Sequence, residues 1–120
     1  MIDEGKPIFV QIAEQIENDI VDGIYPPEGQ VPSTNEFAVF YRINPATAGK
    51  GVNLLVDDGI LYKKRGIGMF VAPGARERLI VQRRQSFRAE FLQPLLNEAE
   101  KLGIDPDQLS DMIRKEGASA

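Results

Sequence analysis

The sequence contains no cysteine and no histidine. Without these residues the chain cannot build a disulfide, the usual zinc sites, or most pairings of a nucleophile with a base. Long apolar runs are also missing, since none approaches the roughly 20 residues of a membrane span. The first residues, MIDE, are acidic and unlike a signal peptide. We therefore expect no catalytic residue, metal ligand, cofactor or membrane contact, and a cytoplasmic location.

Positive charge is scarce overall but concentrated in one part of the chain. The net charge is −4, with −6 in residues 1–29 and +2 in residues 30–71. Residues 76–120 hold equal numbers of acidic and basic side chains. The 120 residues suffice for one small domain with an appendage. The middle of the chain is thus the part that could bind a polyanion, weakly and with strong salt dependence.

Two short helices are predicted between residues 31 and 59. Ser33 and Glu36 have the S-x-x-E spacing of a capping box, which marks the start of a helix. The second helix begins at Asn44-Pro45, a good N-cap followed by proline at the first helical position, and it ends before Gly59. Its apolar residues recur at helical spacing: Ala48, Val52, Leu55 and Val56. Two capped helices joined by a short turn form a helix-turn-helix.

A basic β-hairpin follows this helix pair. Two strand-like runs flank a turn that contains Gly66 and Gly68, and the first run ends in Lys63-Lys64-Arg65. A basic hairpin beside a helix-turn-helix is the wing of a winged helix, although the basic run alone would also fit a solvated strand edge. Four aromatic residues of this region are expected in the core: Phe37, Phe40, Tyr62 and Phe70.

A third core helix is predicted at the start of the chain. Pro7 precedes isoleucines spaced four apart, Ile8, Ile12, Ile16 and Ile20, which form one apolar stripe. The clearest boundary is Pro73-Gly74, which divides residues 1–73 from residues 74–120. The predicted fold class is mostly α with a small β-hairpin wing (α+β).

The C-terminal region, residues 74–120, is predicted to form two helices and a dimer interface. Pro94 is expected to kink or split the first helix near Leu92, and Asp105-Pro106 opens the second. The region is too small for its own core, so its apolar face is expected to pack against a second copy of the chain. That face comprises Leu79, Phe87, Phe91, Leu95, Leu102, Leu109, Met112 and Ile113.

Four motifs, in order and at matching spacings, resemble the GntR family of bacterial transcription regulators. They are a proline with a glutamine-isoleucine pair on the first helix, a proline-serine pair, an asparagine-proline-x-threonine, and a glycine-x-glycine-x-phenylalanine-valine. In this chain they are Pro7 with Gln11-Ile12, Pro32-Ser33, Asn44-Pro45-Ala46-Thr47 and Gly66-Ile67-Gly68-Met69-Phe70-Val71. The resemblance covers about residues 7–71, and the short C-terminal region is similar to the YtrA-type subfamily.

The resemblance implies a homodimeric repressor that binds a two-fold-related double-stranded DNA operator. The start of the second helix of the motif would enter the major groove, where Thr47 can read bases and Lys50 can bind. The implied DNA-contacting residues are Ser33, Thr34, Asn35, Arg42, Asn44, Pro45, Ala46, Thr47, Lys50, Lys63, Lys64, Arg65, Gly66 and Gly68. Asn35 and Lys50 replace arginines that are usual in the family, and Gly49 and Gly51 lie inside the recognition helix.

Two other classes of function compete with this interpretation. The alternative function is that of a protein-interaction module, in which a winged helix uses its basic face to bind an acidic protein and does not bind DNA sequence-specifically. An enzyme would have to rely on Asp57-Asp58, yet adjacent helical residues do not face each other. In the wider family the C-terminal region binds a small effector, so an unidentified small-molecule effector remains a candidate partner.

Overall fold

The computed structural model describes residues 5–119 and divides into two compact units between Val81 and Gln82. The first unit contains helices and strands in the order of a winged helix. They are α1 (Ile8–Val21), β1 (Gln30–Val31), α2 (Thr34–Tyr41), α3 (Pro45–Asp57), β2 (Leu61–Lys64) and β3 (Gly68–Val71). Helix α4 (Ala75–Phe87) begins in this unit and continues into the second. The predicted fold class, mostly helical with a small β wing, is confirmed.

Both predicted N-caps are present. The Ser33 side chain accepts a hydrogen bond from the Glu36 backbone N–H at 3.1 Å, and the Ser33 N–H donates to the Glu36 carboxylate at 3.0 Å. At the next helix the Asn44 Oδ1 accepts from the Ala46 N–H at 2.7 Å, with Pro45 in the first turn. These contacts satisfy donors that a helix leaves without partners, so they fix where α2 and α3 begin.

The wing is part of a three-stranded antiparallel sheet in the order β1-β3-β2. Strand β1 was not predicted, because two residues carry no readable alternation. Gln30 pairs with Phe70 and Val31 with Met69, so β1 joins the segment before α2 to the wing. The sheet is therefore anchored at a strand that leads directly into the Ser33 cap.

The core of the first unit lies between the helices and the inner face of this sheet. Its buried residues include Ile12, Ile16 and Ile20 of the predicted stripe on α1, together with Phe37, Val52, Leu55, Leu61 and Val71. The first isoleucine of that stripe, Ile8, is 47% exposed. The prediction for Phe40 is wrong, because its side chain is 77% exposed on α2. Tyr62 and Phe70 are half-buried and stack on each other with ring centroids 5.7 Å apart, outside the core cluster. Strand alternation places them on the outer face of the wing, because Leu61 and Val71 beside them point inward.

The first turns of α4 complete the winged helix. Ala75 and Leu79 lie in the core, with Leu79 only 2% exposed. The Arg78 guanidinium donates to the carbonyl oxygens of Asp58 (2.9 Å) and Gly59 (3.2 Å) at the end of α3. Leu79 is therefore unavailable to the dimer face on which it was predicted, and the first unit extends beyond Pro73 to Val81.

Burial raises the pKa of Tyr41 to about 12, with smaller contributions from Asp19 and Tyr25. A raised pKa favours the neutral phenol in the folded state, so this contribution to stability is complete below pH 10. We expect the unfolding free energy to fall as the pH rises from 10 towards 12, and to fall less steeply in Tyr41→Phe. Urea unfolding at several alkaline pH values tests this, and identical slopes in both proteins would contradict it.

The second unit is helical. Regular α-helix ends at Phe87, a π-helical segment spans Arg88–Leu92, and α5 (Gln93–Lys101) and α6 (Pro106–Ser119) follow. The predicted disruption at Pro94 is present as this π-helical segment, because proline lacks an N–H and its ring crowds the carbonyl four residues earlier. A capping box between Asp105 and Gln108 opens α6, with hydrogen bonds of 2.8 and 3.0 Å.

Candidate nucleic-acid interface

The outward face of α3 consists of small and polar side chains. Ala48, Val52 and Leu55 are buried on one side of the helix, which turns Ala46, Lys50 and Asn53 outward, where all three are exposed. Thr47 is half-buried at the edge of this face, so it is less accessible than the sequence predicts. A helix with such a face can approach base edges closely, and Asn53 and Thr47 can hydrogen-bond there.

The two glycines of α3 have different surroundings. A Cβ at Gly51 would lie 2.7 Å from the Phe9 backbone carbonyl oxygen, which means that α1 and α3 approach each other backbone to backbone. A Cβ at Gly49 would meet only the Thr34 methyl group, at 3.6 Å. Packing therefore requires glycine at position 51 but not at position 49. Gly49 lies on the side of α3 that faces the start of α2.

The polar side chains at the N-terminus of α2 are already hydrogen-bonded in the capping box. The hydroxyl of Ser33 and the carboxylate of Glu36 are used by the capping box, and the Ser33 backbone hydrogen bond, with a smaller contribution from its side chain, lowers the pKa of Glu36. An ionised carboxylate therefore lies where a helix terminus would otherwise attract phosphate. Thr34 (half-buried) and Asn35 (exposed) are the residues of this turn that remain available for DNA contact.

The predicted contact residues lie along two grooves and the exposed face of α3. One groove, between α2 and α3, brings together Asn35, Arg42, Asn44 and Pro45. Arg42 is held there in the left-handed conformation (φ 56°) that ends α2. The second groove lies between α2 and the wing and is lined by Ser33, Thr34, Lys63, Lys64, Arg65, Gly66 and Gly68. Both grooves flank the helix whose outward face carries Ala46, Thr47 and Lys50.

The lysines of this surface are held by uncharged partners. The Lys50 ammonium lies 5.2 Å from the centroid of the Phe9 ring, and the Lys64 ammonium lies 4.6 Å from that of Phe70. The Lys63 ammonium donates to the Asn53 Oδ1 at 3.4 Å. Within residues 5–119, neither these lysines nor Arg42 and Arg65 form an ion pair with a carboxylate. A phosphate could therefore bind each cation without displacing a carboxylate.

Sequence reasoning missed two residues of this surface, Phe9 and Gln30. Phe9 comes directly after Ile8, the first residue of the apolar stripe of α1, and its position in the sequence does not indicate a contact with Lys50. The Gln30 side-chain amide donates to the Ile67 carbonyl at 3.2 Å and so closes the turn of the wing. The one sequence signal for Gln30 is that it is a polar residue directly before Val31.

Gly68 has a backbone conformation that other residues rarely adopt. Its φ is +146°, and a Cβ would lie 2.5 Å from the side-chain nitrogen of Gln30. We expect Gly68→Val to distort the wing and weaken operator binding by roughly five- to hundredfold, since such strain costs about 1–3 kcal/mol. Fluorescence anisotropy with operator DNA measures the loss, and helical circular dichroism serves as the control. Unchanged affinity would mean that the hairpin does not contact DNA.

The predicted dimer residues of the second unit are mostly exposed. Leu109 is an exception, because it is buried within this unit together with Ala99. Phe87, Phe91 and Leu102 are more than half exposed, and the rings of Phe87 and Phe91 lie 5.6 Å apart. The other exposed apolar residues of this unit are Leu92, Leu95, Leu96, Met112 and Ile113.

Comparison with known proteins identifies the family. A sequence profile described as "Bacterial regulatory proteins, gntR family" matches residues 9–71. The chain belongs to the GntR family. It is 30% identical over 111 residues to the HTH-type transcriptional repressor YtrA of Bacillus subtilis, which covers 92% of this chain and 85% of YtrA. The predicted resemblance to the GntR family is thereby confirmed.

Solved structures of GntR proteins share the fold. A GntR family transcriptional regulator from Listeria monocytogenes is 28% identical, with a TM-score of 0.71 over 95% of this chain and 98% of that one. The DNA-binding domain of AraR, solved in complex with operator ORX1, is 32% identical with a TM-score of 0.55, over 59% of this chain and 87% of that one. This chain is accordingly a DNA-binding transcription regulator, and the alternative of a protein-interaction module is not supported.

Two further observations concern membranes and metals. Within residues 5–119, no helix has both the length and the apolar composition of a membrane span. In the same part of the chain, acidic side chains do not gather in groups of three or more that could hold a metal ion. The relatives reported above are transcription regulators rather than enzymes.

Proposed function

We propose that this GntR protein is a homodimeric repressor that binds a two-fold-related operator in the bacterial cytoplasm, where the chromosome lies. The observation that carries the proposal is the outward face of α3, flanked by two grooves and by cations that form no ion pair with a carboxylate of residues 5–119. YtrA, with which the chain aligns over most of its length, is itself named a repressor. No catalytic role is proposed, because the relatives compared above are transcription regulators.

Dimerisation would bury the apolar side chains of the second unit. Phe87, Phe91 and Leu102 are between 56% and 67% exposed, and a soluble monomer rarely exposes a large contiguous apolar patch. Pairing two copies around a two-fold axis would cover both patches and fix the spacing of two recognition helices, at about 34 Å or a multiple of it. An unidentified small-molecule effector is proposed as the signal that changes operator affinity.

Selection of bound fragments from the source genome tests this function. We expect a small set of sequences with two-fold symmetry, bound at least about 10³-fold more tightly than unselected DNA at physiological salt. Enrichment of fragments without a shared sequence would contradict a sequence-specific repressor. Transcription from an enriched promoter, measured with and without the protein, then separates repression from activation.

Thr47→Ala and Lys50→Ala are expected to affect DNA binding differently. If Thr47 reads a base, its loss costs about 1–3 kcal/mol on the operator and little on unselected DNA. Lys50→Ala is expected to weaken binding to both DNAs and to reduce the salt slope by about one unit, as the loss of one phosphate contact requires. Titrations at several salt concentrations measure both effects. An unchanged operator preference in Thr47→Ala would exclude base reading by this residue.

A further inference from the structure

Lys50 is held against the side of α3 that faces α1. Its ammonium lies 5.2 Å from the centroid of the Phe9 ring, within the range of a cation–π contact. The position of Phe9 is itself fixed, because its backbone carbonyl packs directly against Gly51, where even a Cβ would not fit. The backbone of Phe9 is therefore held against α3, which places its ring beside the recognition helix.

Lys63 contacts the same helix from the wing, through Asn53. Its ammonium donates to Asn53, and Gly49 on that side of α3 faces Thr34 at the start of α2. The recognition helix thus has one cation towards α1 and one towards the wing. Asn53 follows Lys50 by three positions, so both contacts lie on the outward face of α3, one near its α1 edge and the other near the wing.

We propose that Phe9 is a positioning residue that holds Lys50 for a phosphate contact on the α1 side of the recognition helix, separate from the phosphate that Lys63 contacts. The ring contacts the ammonium group from one side, so the N–H groups that point away from the ring can donate to a phosphate. An unrestrained lysine would lose more side-chain freedom on binding. The proposal rests on DNA binding and adds a residue of α1 to the binding surface.

A double-mutant cycle tests the proposal. Phe9→Leu removes the ring but keeps an apolar side chain, and we expect it to weaken DNA binding about two- to fivefold, as an exposed cation–π contact implies. In the Lys50→Ala background the same substitution is expected to have no effect on affinity. In the Lys63→Ala background it is expected to retain its full effect, which makes Lys63 the matched control. Phe9→Tyr keeps the ring and is expected to restore the affinity.

The cycle is measured on a duplex selected by the wild-type protein and on an unselected random-sequence duplex, because a phosphate contact carries no sequence information. An equal loss from Phe9→Leu in the wild-type and Lys50→Ala backgrounds would overturn the proposal, since Phe9 would then act through the fold. Coupling on both duplexes without preference for the selected one would support it while contradicting the repressor function.

Neutral methylphosphonate linkages, placed one at a time in the selected duplex, identify the phosphates that the two lysines contact. A substitution that weakens wild-type binding but not Lys50→Ala marks the phosphate of Lys50, and the same comparison with Lys63→Ala marks that of Lys63. We expect the two marked phosphates to be different ones. A single phosphate marked by both variants would overturn the assignment of Lys50 to its own contact on the α1 side of α3.

Discussion

Gly51→Ala is expected to destabilise the winged helix by about 1–3 kcal/mol or more, although alanine is the better helix former. The added methyl group would lie 2.7 Å from the Phe9 carbonyl oxygen and 3.3 Å from Ile12 Cγ2. The nearest of these atoms belongs to the backbone of α1, so relief requires the two helices to move apart. Denaturant unfolding monitored by circular dichroism measures the change.

Gly49→Ala is the matched control in the same helix. Its methyl group would meet only Thr34 Cγ2 at 3.6 Å, an ordinary van der Waals contact. We expect this variant to gain up to about 1 kcal/mol from helix propensity. The two substitutions should therefore shift the unfolding midpoint in opposite directions. If Gly51→Ala were as stable as the wild type, the close approach of α1 and α3 would be refuted.

Removing the second unit is expected to lower operator affinity by about 10²–10⁴-fold, because two linked binding domains gain this much from effective concentration. A chain ending at Val81 retains the packing of Leu79 and both hydrogen bonds of Arg78, so we expect it to fold as a monomer. A chain ending at Pro73 loses these contacts and is expected to unfold, since deletion of one buried leucine side chain alone costs about 2–5 kcal/mol. Analytical ultracentrifugation and operator titration measure both properties.

A single substitution distinguishes the effect of losing the dimer from the effect of shortening the chain. Phe91 is 62% exposed in the second unit, and Phe91→Glu would place a charge in the proposed interface. We expect this full-length variant to sediment as a monomer with the operator affinity of the Val81 truncation. Phe91→Leu keeps an apolar side chain and is expected to remain dimeric. A wild-type chain that sediments as a monomer at micromolar concentration would contradict the dimer.

The parts of the structure that depend on neighbouring residues could be predicted from the sequence. The capping boxes, Pro45 in the first turn of α3 and the interruption before Pro94 involve groups within four residues of one another. Local hydrogen bonds and the missing proline N–H act through this short range, so the residue types suffice to predict them. The DNA-contacting residues assigned to α2, α3 and the wing were found by their motifs, and their contacts with DNA remain predictions.

Long-range packing decided what the sequence left open. Phe37 and Phe40 are equally plausible core residues of a short helix, and only the position of α1 and the sheet determines that Phe37 is buried. The two-residue strand β1 exists because β3 offers a partner edge. Leu79, Phe9 and Gly51 acquired their roles from contacts with elements distant in the chain. The sequence by itself therefore determined the family, the helix starts and the wing, because these depend on local chemistry. The tertiary structure determined which side chains are buried and how each lysine is held, because both depend on surfaces that meet only in the folded chain.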